Sequence, residues 1–215
     1  MTSTKVKICG ITCREDLTTA LNAGADAVGF IVNVPSSPRN LSLKDAERLM
    51  RLVPIFVDSV MVTVPEDTHS LLEICEYVRS DAVQIHGDAQ LDVSTIHEKL
   101  PRLKLIRAIQ AKNDSAIENV VAAVKPFDGL LVDTFLQGSY GGTGVVHDWE
   151  SSKLLREALS PKPLILAGGL KPENVADAIR VVQPYAVDVS SGVESHAGRK
   201  DADKVFQFIK NAKGG

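Results

Sequence analysis

Cys9, followed at once by Gly10, ends the first β-rich run of the sequence, "KVKIC". Cysteine packs well in cores and glycine ends strands, so the pair has a purely structural reading. As a thiolate the same residue is a base, a nucleophile or a metal ligand. Cys9 and Cys13 stand four apart, but the five histidines are scattered and add no second close pair, so no metal site is expected. A carboxylate, Asp133, ends a later run in "LVDT". A base and an acid at the ends of separate strands are the parts of proton-transfer chemistry. Arg39, among the turn residues of "SPRNLS", has the fork that holds a carboxylate or phosphate through two parallel hydrogen bonds, or it is a solvated surface arginine. Two small-residue stretches could let a backbone approach phosphate oxygens closely. One is "LAGGLKPENV", with Gly168 and Gly169; the other is "DVSSGVE", with Ser190, Ser191 and Gly192.

These residues must be positioned by something, and the chain repeats one beat eight times. Runs dense in Val, Ile and Leu span residues 5–9, 27–32, 59–64, 82–85, 104–109, 129–133, 164–167 and 186–189. Short runs without long polar alternation suit strands buried on both faces, as in a parallel sheet. Helical patterns lie between most of them. Thr12 and Glu15 have capping-box spacing, and Gly24 closes that helix. Ser42 opens a helix with Leu43, Ala46, Leu49, Met50 and Val53 on one face, and Cys75 sits on an apolar stripe with Leu71, Leu72 and Val78. Further patterns follow the fifth to eighth runs, the seventh starting near Pro172. Strands alternating with helices argue for βαβ units, and eight of them predict a (β/α)8 TIM barrel filling residues 1–215 as a single domain. An open doubly wound sheet is the rival, but it would need long edge connections in a short chain.

A barrel keeps its reactive groups at the C-terminal ends of its strands. That rule puts Cys9 and Asp133 at the mouth, with the glycine stretches after strands seven and eight, where this fold often binds phosphate. His86 ends the fourth run in "QIHGD", where it lines the pocket or fixes the loop. The sixth loop, "DTFLQGSYGGTGVVHDW", is long and carries Gly142 and Gly144 among four glycines, which suggests a lid or substrate flap. In it Asp148 suits a helix N-cap and Trp149 a packing anchor, so His147 is not expected to be catalytic.

The ordered set "KICGIT", "SPRNLS", "VQIHGD", "LVDT", "GGTG", "LAGGLKPENV" and "DVSSGVE…GRKD" resembles the phosphoribosylanthranilate isomerase family of tryptophan biosynthesis over nearly the whole chain. His147 departs from the aromatic that family members often carry there. The resemblance implies a (β/α)8 barrel without metal or organic cofactor. It implies Cys9 as general base, Asp133 as general acid, Arg39 on the anthranilate carboxylate, and phosphate at the seventh and eighth loops. The implied reaction is an Amadori rearrangement of N-(5-phosphoribosyl)anthranilate, so the partner is a small phosphosugar. Another sugar-phosphate isomerase or epimerase would share the phosphate loops without needing a cysteine. A non-catalytic phosphate-binding barrel would need neither Cys9 nor Asp133.

Bulk composition is that of an ordinary soluble globular protein. The 215 residues are 44% hydrophobic and 24% charged, with a net charge of −3, so no basic field calls for nucleic acid. No apolar run is long enough for a membrane span, and the first residues show no apolar signal core. Three cysteines, odd and sparse, fit a reducing cytoplasm. A homo-oligomer is left open.

Overall fold

The computed structural model describes residues 4–110, 116–133 and 149–214. Eight parallel strands close into a barrel: β1 (Lys5–Ile8), β2 (Ala27–Val32), β4 (Asp58–Thr63), β5 (Ala82–Ile85), β6 (Lys104–Gln110), β7 (Gly129–Asp133), β8 (Leu164–Ala167) and β9 (Ala186–Val189). Closure is made by β1, which pairs with β9 from Lys5↔Ala186 to Ile8↔Val189 and with β2 at Lys7↔Ala27. A two-residue strand, β3 (Asn40–Leu41), lies beside the upper half of β2. A small antiparallel pair, β10 (Glu194–His196) and β11 (Arg199–Lys200), stands in the loop after β9. The outer ring consists of α1 (Arg14–Ala23), α2 (Leu43–Met50), α3 (Thr68–Val78), α4 (Val93–Lys99), α5 (Ile117–Val124), α6 (Trp149–Leu159), α7 (Val175–Val182) and α8 (Ala202–Lys213). Packing of α8 on α1 closes the ring. Among the described residues no helix is long and apolar enough to cross a membrane.

Alternation along β1 sorts the barrel into two cores. Val6 and Ile8 face the helices and join the large apolar shell between strands and helices. Lys5 and Lys7 take the inward positions of the same strand. A second, smaller apolar cluster fills part of the interior with Ala108, Leu131, Ile165, Ala167 and Ala186. At the N-terminal end of the strands one device recurs. Asp26, Asp81 and Asp128 each stand just before or at the start of a strand and accept the N–H of the preceding strand, at Val6 (2.9 Å), Ser59 (2.8 Å) and Leu105 (2.9 Å). The same end holds a cavity of about 640 Å³ lined by Lys5, Asp58, Lys104, Tyr185 and others, remote from the strand ends that carry Cys9 and Asp133.

Several local expectations are met and some are corrected. Gly24 caps α1 at φ +90°, and the Ser42 hydroxyl accepts from the Asp45 N–H to open α2. Cys75 is buried on α3. The Thr12–Glu15 capping box does not form: α1 starts after Cys13, without a side-chain cap, and the Thr12 hydroxyl donates instead to the Gly198 carbonyl at 2.7 Å. The hydroxyl is held by a tertiary contact, and the helix starts one residue later. The seventh helix begins at Val175, because Lys171 to Asn174 form a turn closed by the Lys171 N–H on the Asn174 side chain. Val53 lies beyond α2 yet packs against the core. The helix after the fourth barrel strand, α4, has no counterpart in the sequence pattern; its seven residues are too few for a clear period.

Candidate active site

Cys9 follows β1 directly, its N–H bonded to the Val189 carbonyl of β9 at 2.8 Å, so barrel pairing continues to the thiol itself. The side chain is 5% exposed. Two glycines make its surroundings. Gly10 has φ +76°, a conformation costly for other residues. A Cβ there would also meet Arg39 Cδ at 2.6 Å and Ser190 Oγ at 2.8 Å. Gly29, on β2, leaves a matching space: a Cβ would meet Cys9 Sγ at 2.8 Å and Lys7 Nζ at 3.0 Å. Gly10 therefore does more than turn the chain. It lets the second and eighth loops approach the first.

Under Cys9 runs a buried polar chain across the barrel. Lys7 Nζ donates to Asp188 Oδ1 on β9 and to Gln84 Oε1 on β5, both at 3.0 Å. Lysine can only donate, which turns the Gln84 amide nitrogen toward His86 Nε2 at 2.8 Å. That nitrogen must accept, so the imidazole is neutral with its proton on Nδ1. Burial, followed by the Lys7 charge, pushes the His86 pKa down to about 4. Burial would also discharge Lys7, but Asp188 and, once ionised, Cys9 outweigh it and hold its pKa above the usual lysine value. Cys9 is pushed up by burial, which exceeds the opposite pull of Lys7 and Lys200. The resting group is a thiol.

Arg39, from the loop between β2 and β3, is gripped from the eighth loop. Its Nε and Nη2 donate to Glu194 Oε1 and Oε2 at 2.7 and 2.6 Å. Lys200 Nζ reaches the same carboxylate at 2.9 Å and the Ser190 carbonyl at 3.2 Å. Burial would raise the Glu194 pKa, but the Arg39 and Lys200 hydrogen bonds win and keep it below its ordinary value. One edge of the Arg39 fork is thereby spent, and Nη1 has no hydrogen-bond partner among the described residues. Ser190 Oγ, beside Gly10, is buried with no partner among the described residues.

Asp133 is the last residue of β7, partly exposed and in register with Gln110 and Ala167. It stands three strands from β1 around the barrel. Gly168 and Gly169 follow β8 with φ +86° and +62°, and the Gly169 carbonyl accepts from Asn174 Nδ2 at 3.1 Å. Ser191 begins a short 3-10 turn to Val193. Gly192 in that turn abuts the seventh loop: a Cβ there would sit on the Leu170 carbonyl oxygen. The structure thus brings Cys9, Arg39, His86, Ser190 and the two glycine loops to the end of the barrel that Asp133 also reaches. Gly142, Gly144, His147 and Asp148 lie outside the described residues.

Sequence reasoning missed Lys7, Gln84, Asp188, Gly29, Glu194 and Lys200. One signal is present: Lys5 and Lys7 alternate with Val6 and Ile8, which puts a lysine on the inner face of a buried strand. Asp188, Glu194 and Lys200 lie within "DVSSGVE…GRKD", but nothing in their local spacing marks a role.

Comparison with known proteins bears on this arrangement. The family model described as N-(5'phosphoribosyl)anthranilate (PRA) isomerase matches residues 6–211. An N-(5'-phosphoribosyl)anthranilate isomerase of Methanothrix thermoacetophila is 45% identical over 98% of both chains. A crystal structure of a phosphoribosyl anthranilate isomerase in complex with reduced 1-(o-carboxyphenylamino)-1-deoxyribulose 5-phosphate superposes with a TM-score of 0.81 at 40% identity, covering 98% of this chain and 99% of the other. A structure of monomers generated from the dimeric Thermotoga maritima enzyme gives 0.81 at 38% identity, with the same coverage. With a closed barrel, a cysteine and an aspartate at its strand ends and a family match across almost its whole length, the chain belongs to the phosphoribosylanthranilate isomerase family.

Proposed function

We infer that this chain converts N-(5-phosphoribosyl)anthranilate to 1-(2-carboxyphenylamino)-1-deoxyribulose 5-phosphate by general acid–base catalysis, with Cys9 as base and Asp133 as acid. The observation that carries the reading is the pair itself, a thiol and a carboxyl at the same end of the barrel on strands three apart. A proton from Asp133 goes to the furanose ring oxygen as the C1′–O bond breaks, and the anilino nitrogen supplies its lone pair to form an iminium. The iminium acidifies C2′, and the Cys9 thiolate removes that proton. The enolamine then tautomerises to the ketone, with a proton added at C1′. No electron leaves the substrate, so the steps need no external redox partner.

Binding follows the same geometry. The free edge of Arg39 would hold the anthranilate carboxylate, aligned by Glu194 at its back. Gly168, Gly169, Ser190, Ser191 and Gly192 would present backbone N–H groups and hydroxyls to the phosphate, and the unsatisfied Ser190 Oγ supports that placement. His86, neutral, would line the pocket. A reducing cytoplasm suits a catalytic free thiol. Likeness to the dimeric Thermotoga enzyme, together with Ile55 and Phe56 at 80% and 96% exposure, supports a homo-oligomer, which light scattering would test.

The deciding experiment is turnover of phosphoribosylanthranilate by the purified protein, followed as loss of anthranilate fluorescence. Cys9→Ser should lower the rate by roughly 10² to 10⁴, the usual cost of removing a general base. A variant that folds and turns over within about threefold of the parent, far short of that loss, would make Cys9 structural.

A further inference from the structure

We propose that Lys7 is the positioning residue that makes Cys9 usable as a base: pinned by Asp188 and Gln84, its ammonium is the counter-charge of the Cys9 thiolate. The proposal rests on the reading of Cys9 as base. Lys7 and Cys9 are two apart on one strand, both inward, so the lysine head rises beside the thiol rather than into solvent. Both heads border the space over Gly29, with Sγ 2.8 Å and Nζ 3.0 Å from where a Cβ would stand there. A buried Lys–Asp pair alone would not need a glycine that accommodates a sulfur as well, and such pairs are weak devices for stability.

Donor counting points the same way. An ammonium has three donors. Asp188 and Gln84 take two, and the third has the thiol as its neighbour. Gln84, which accepts from the lysine, is itself bonded to His86. The Lys7 pKa lies above the usual lysine value, with the Asp188 carboxylate the largest of the causes that oppose burial. Lys7 is thus no proton acceptor. When Cys9 ionises its proton goes to water, and Lys7 stabilises the sulfur anion left behind.

The other charges around Cys9 are accounted for. Asp188, from β9, opposes ionisation. Lys200, from β11, favours it too, but bonds to Glu194 and the Ser190 carbonyl. Arg39, from the second loop, spends Nε and Nη2 on the same carboxylate and keeps Nη1 for the substrate. His86, beyond β5, is neutral. Among the described residues Lys7 is the cation whose head shares the space over Gly29 with the Cys9 sulfur.

Thiolate absorbance at 240 nm, titrated in the full chain, tests this without turnover. Cys13→Ser removes the one other thiol that would interfere, since burial holds Cys75 at about 12. In that background Lys7→Gln should move the Cys9 titration up by about one pH unit or more, the usual effect of losing a neighbouring opposite charge. Asp188→Asn should move it down. Lys7→Gln should also cut kcat/KM at neutral pH about tenfold for every pH unit by which the titration rises, with recovery as pH rises. A structural defect would not be rescued by alkali. The double variant Lys7→Gln, Asp188→Asn preserves core charge and covers the case in which a single variant fails to fold. It should still titrate above the parent. A folded Lys7→Gln protein whose Cys9 titrates with the parent, or a double variant that does so, overturns the proposal. Failure of the base reading shows separately, as full turnover by Cys9→Ser with the Lys7 effect on titration intact.

Discussion

Arg39 shows how much one residue's role depends on what holds it. A guanidinium free on a loop would lose conformational entropy on meeting a ligand. Here Glu194 has already fixed its plane through two short bonds. Arg39→Ala should raise KM for phosphoribosylanthranilate by roughly 10- to 150-fold, which is what losing a hydrogen bond to a charged group of about 1.5–3 kcal/mol amounts to. Arg39→Lys should recover part of this, keeping the charge without the fork. The check is a pair of product analogues with and without the carboxylate. Arg39→Ala should weaken the first and leave the second alone; equal weakening of both would show that Arg39 shapes the loop instead.

At the scale of elements, the loops after β8 and β9 act as one unit. Gly192 touches the Leu170 carbonyl so closely that no side chain fits between them. Gly192→Ala must push the loops apart by moving backbone, since the obstacle is a carbonyl and not a flexible side-chain end. The expected outcome is weaker inhibition by inorganic phosphate and a raised KM, with kcat at saturation changed less. Isothermal titration with phosphate reads the first effect directly, and unchanged phosphate affinity would remove these loops from the phosphate site. The small β10–β11 pair has a related use. It sets Glu194 and Lys200 in register with each other, so that both reach the space beside Arg39.

For the molecule as a whole, the two ends of the barrel divide stability from chemistry. Asp26 belongs to the first. It accepts from the Val6 N–H at 2.9 Å, from Lys5 at 3.1 Å and from Lys213 of α8 at 2.8 Å, tying the first strand to the last helix. Burial would raise its pKa, but the bonds from Lys213, Val6 and Lys5 lower it below the ordinary value. A carboxyl depressed in this way stabilises the fold above its unfolded pKa of about 3.9, and the contribution disappears as pH falls through the folded value. Asp26→Asn should therefore cost about 1 kcal/mol at pH 7, after discounting for solvent, or about 2–4 °C in Tm. The gap to the parent should narrow below about pH 4, and kcat/KM at pH 7 should not move. Thermal melts at pH 7 and pH 3 provide the measurement; a gap that widens in acid would contradict it.

What the sequence by itself determined was local. Strand positions followed from short β-branched runs, and most helices from apolar spacing and caps. Cys9 and Asp133 were legible because each simply ends its run, and a parallel barrel turns a strand's end into the mouth. Among the exceptions were α4, too short to show its period, and Thr12, whose hydroxyl found an acceptor at Gly198, 186 residues away. The tertiary structure decided everything that depends on closure and register. Lys7 meets Gln84 across 77 residues and Asp188 across 181, and Arg39 meets Glu194 across 155. Those separations carry no local period. The charges meet because eight strands close with one register, which turns alternate side chains inward at a shared height, and because glycines at positions 10 and 29 leave room for them.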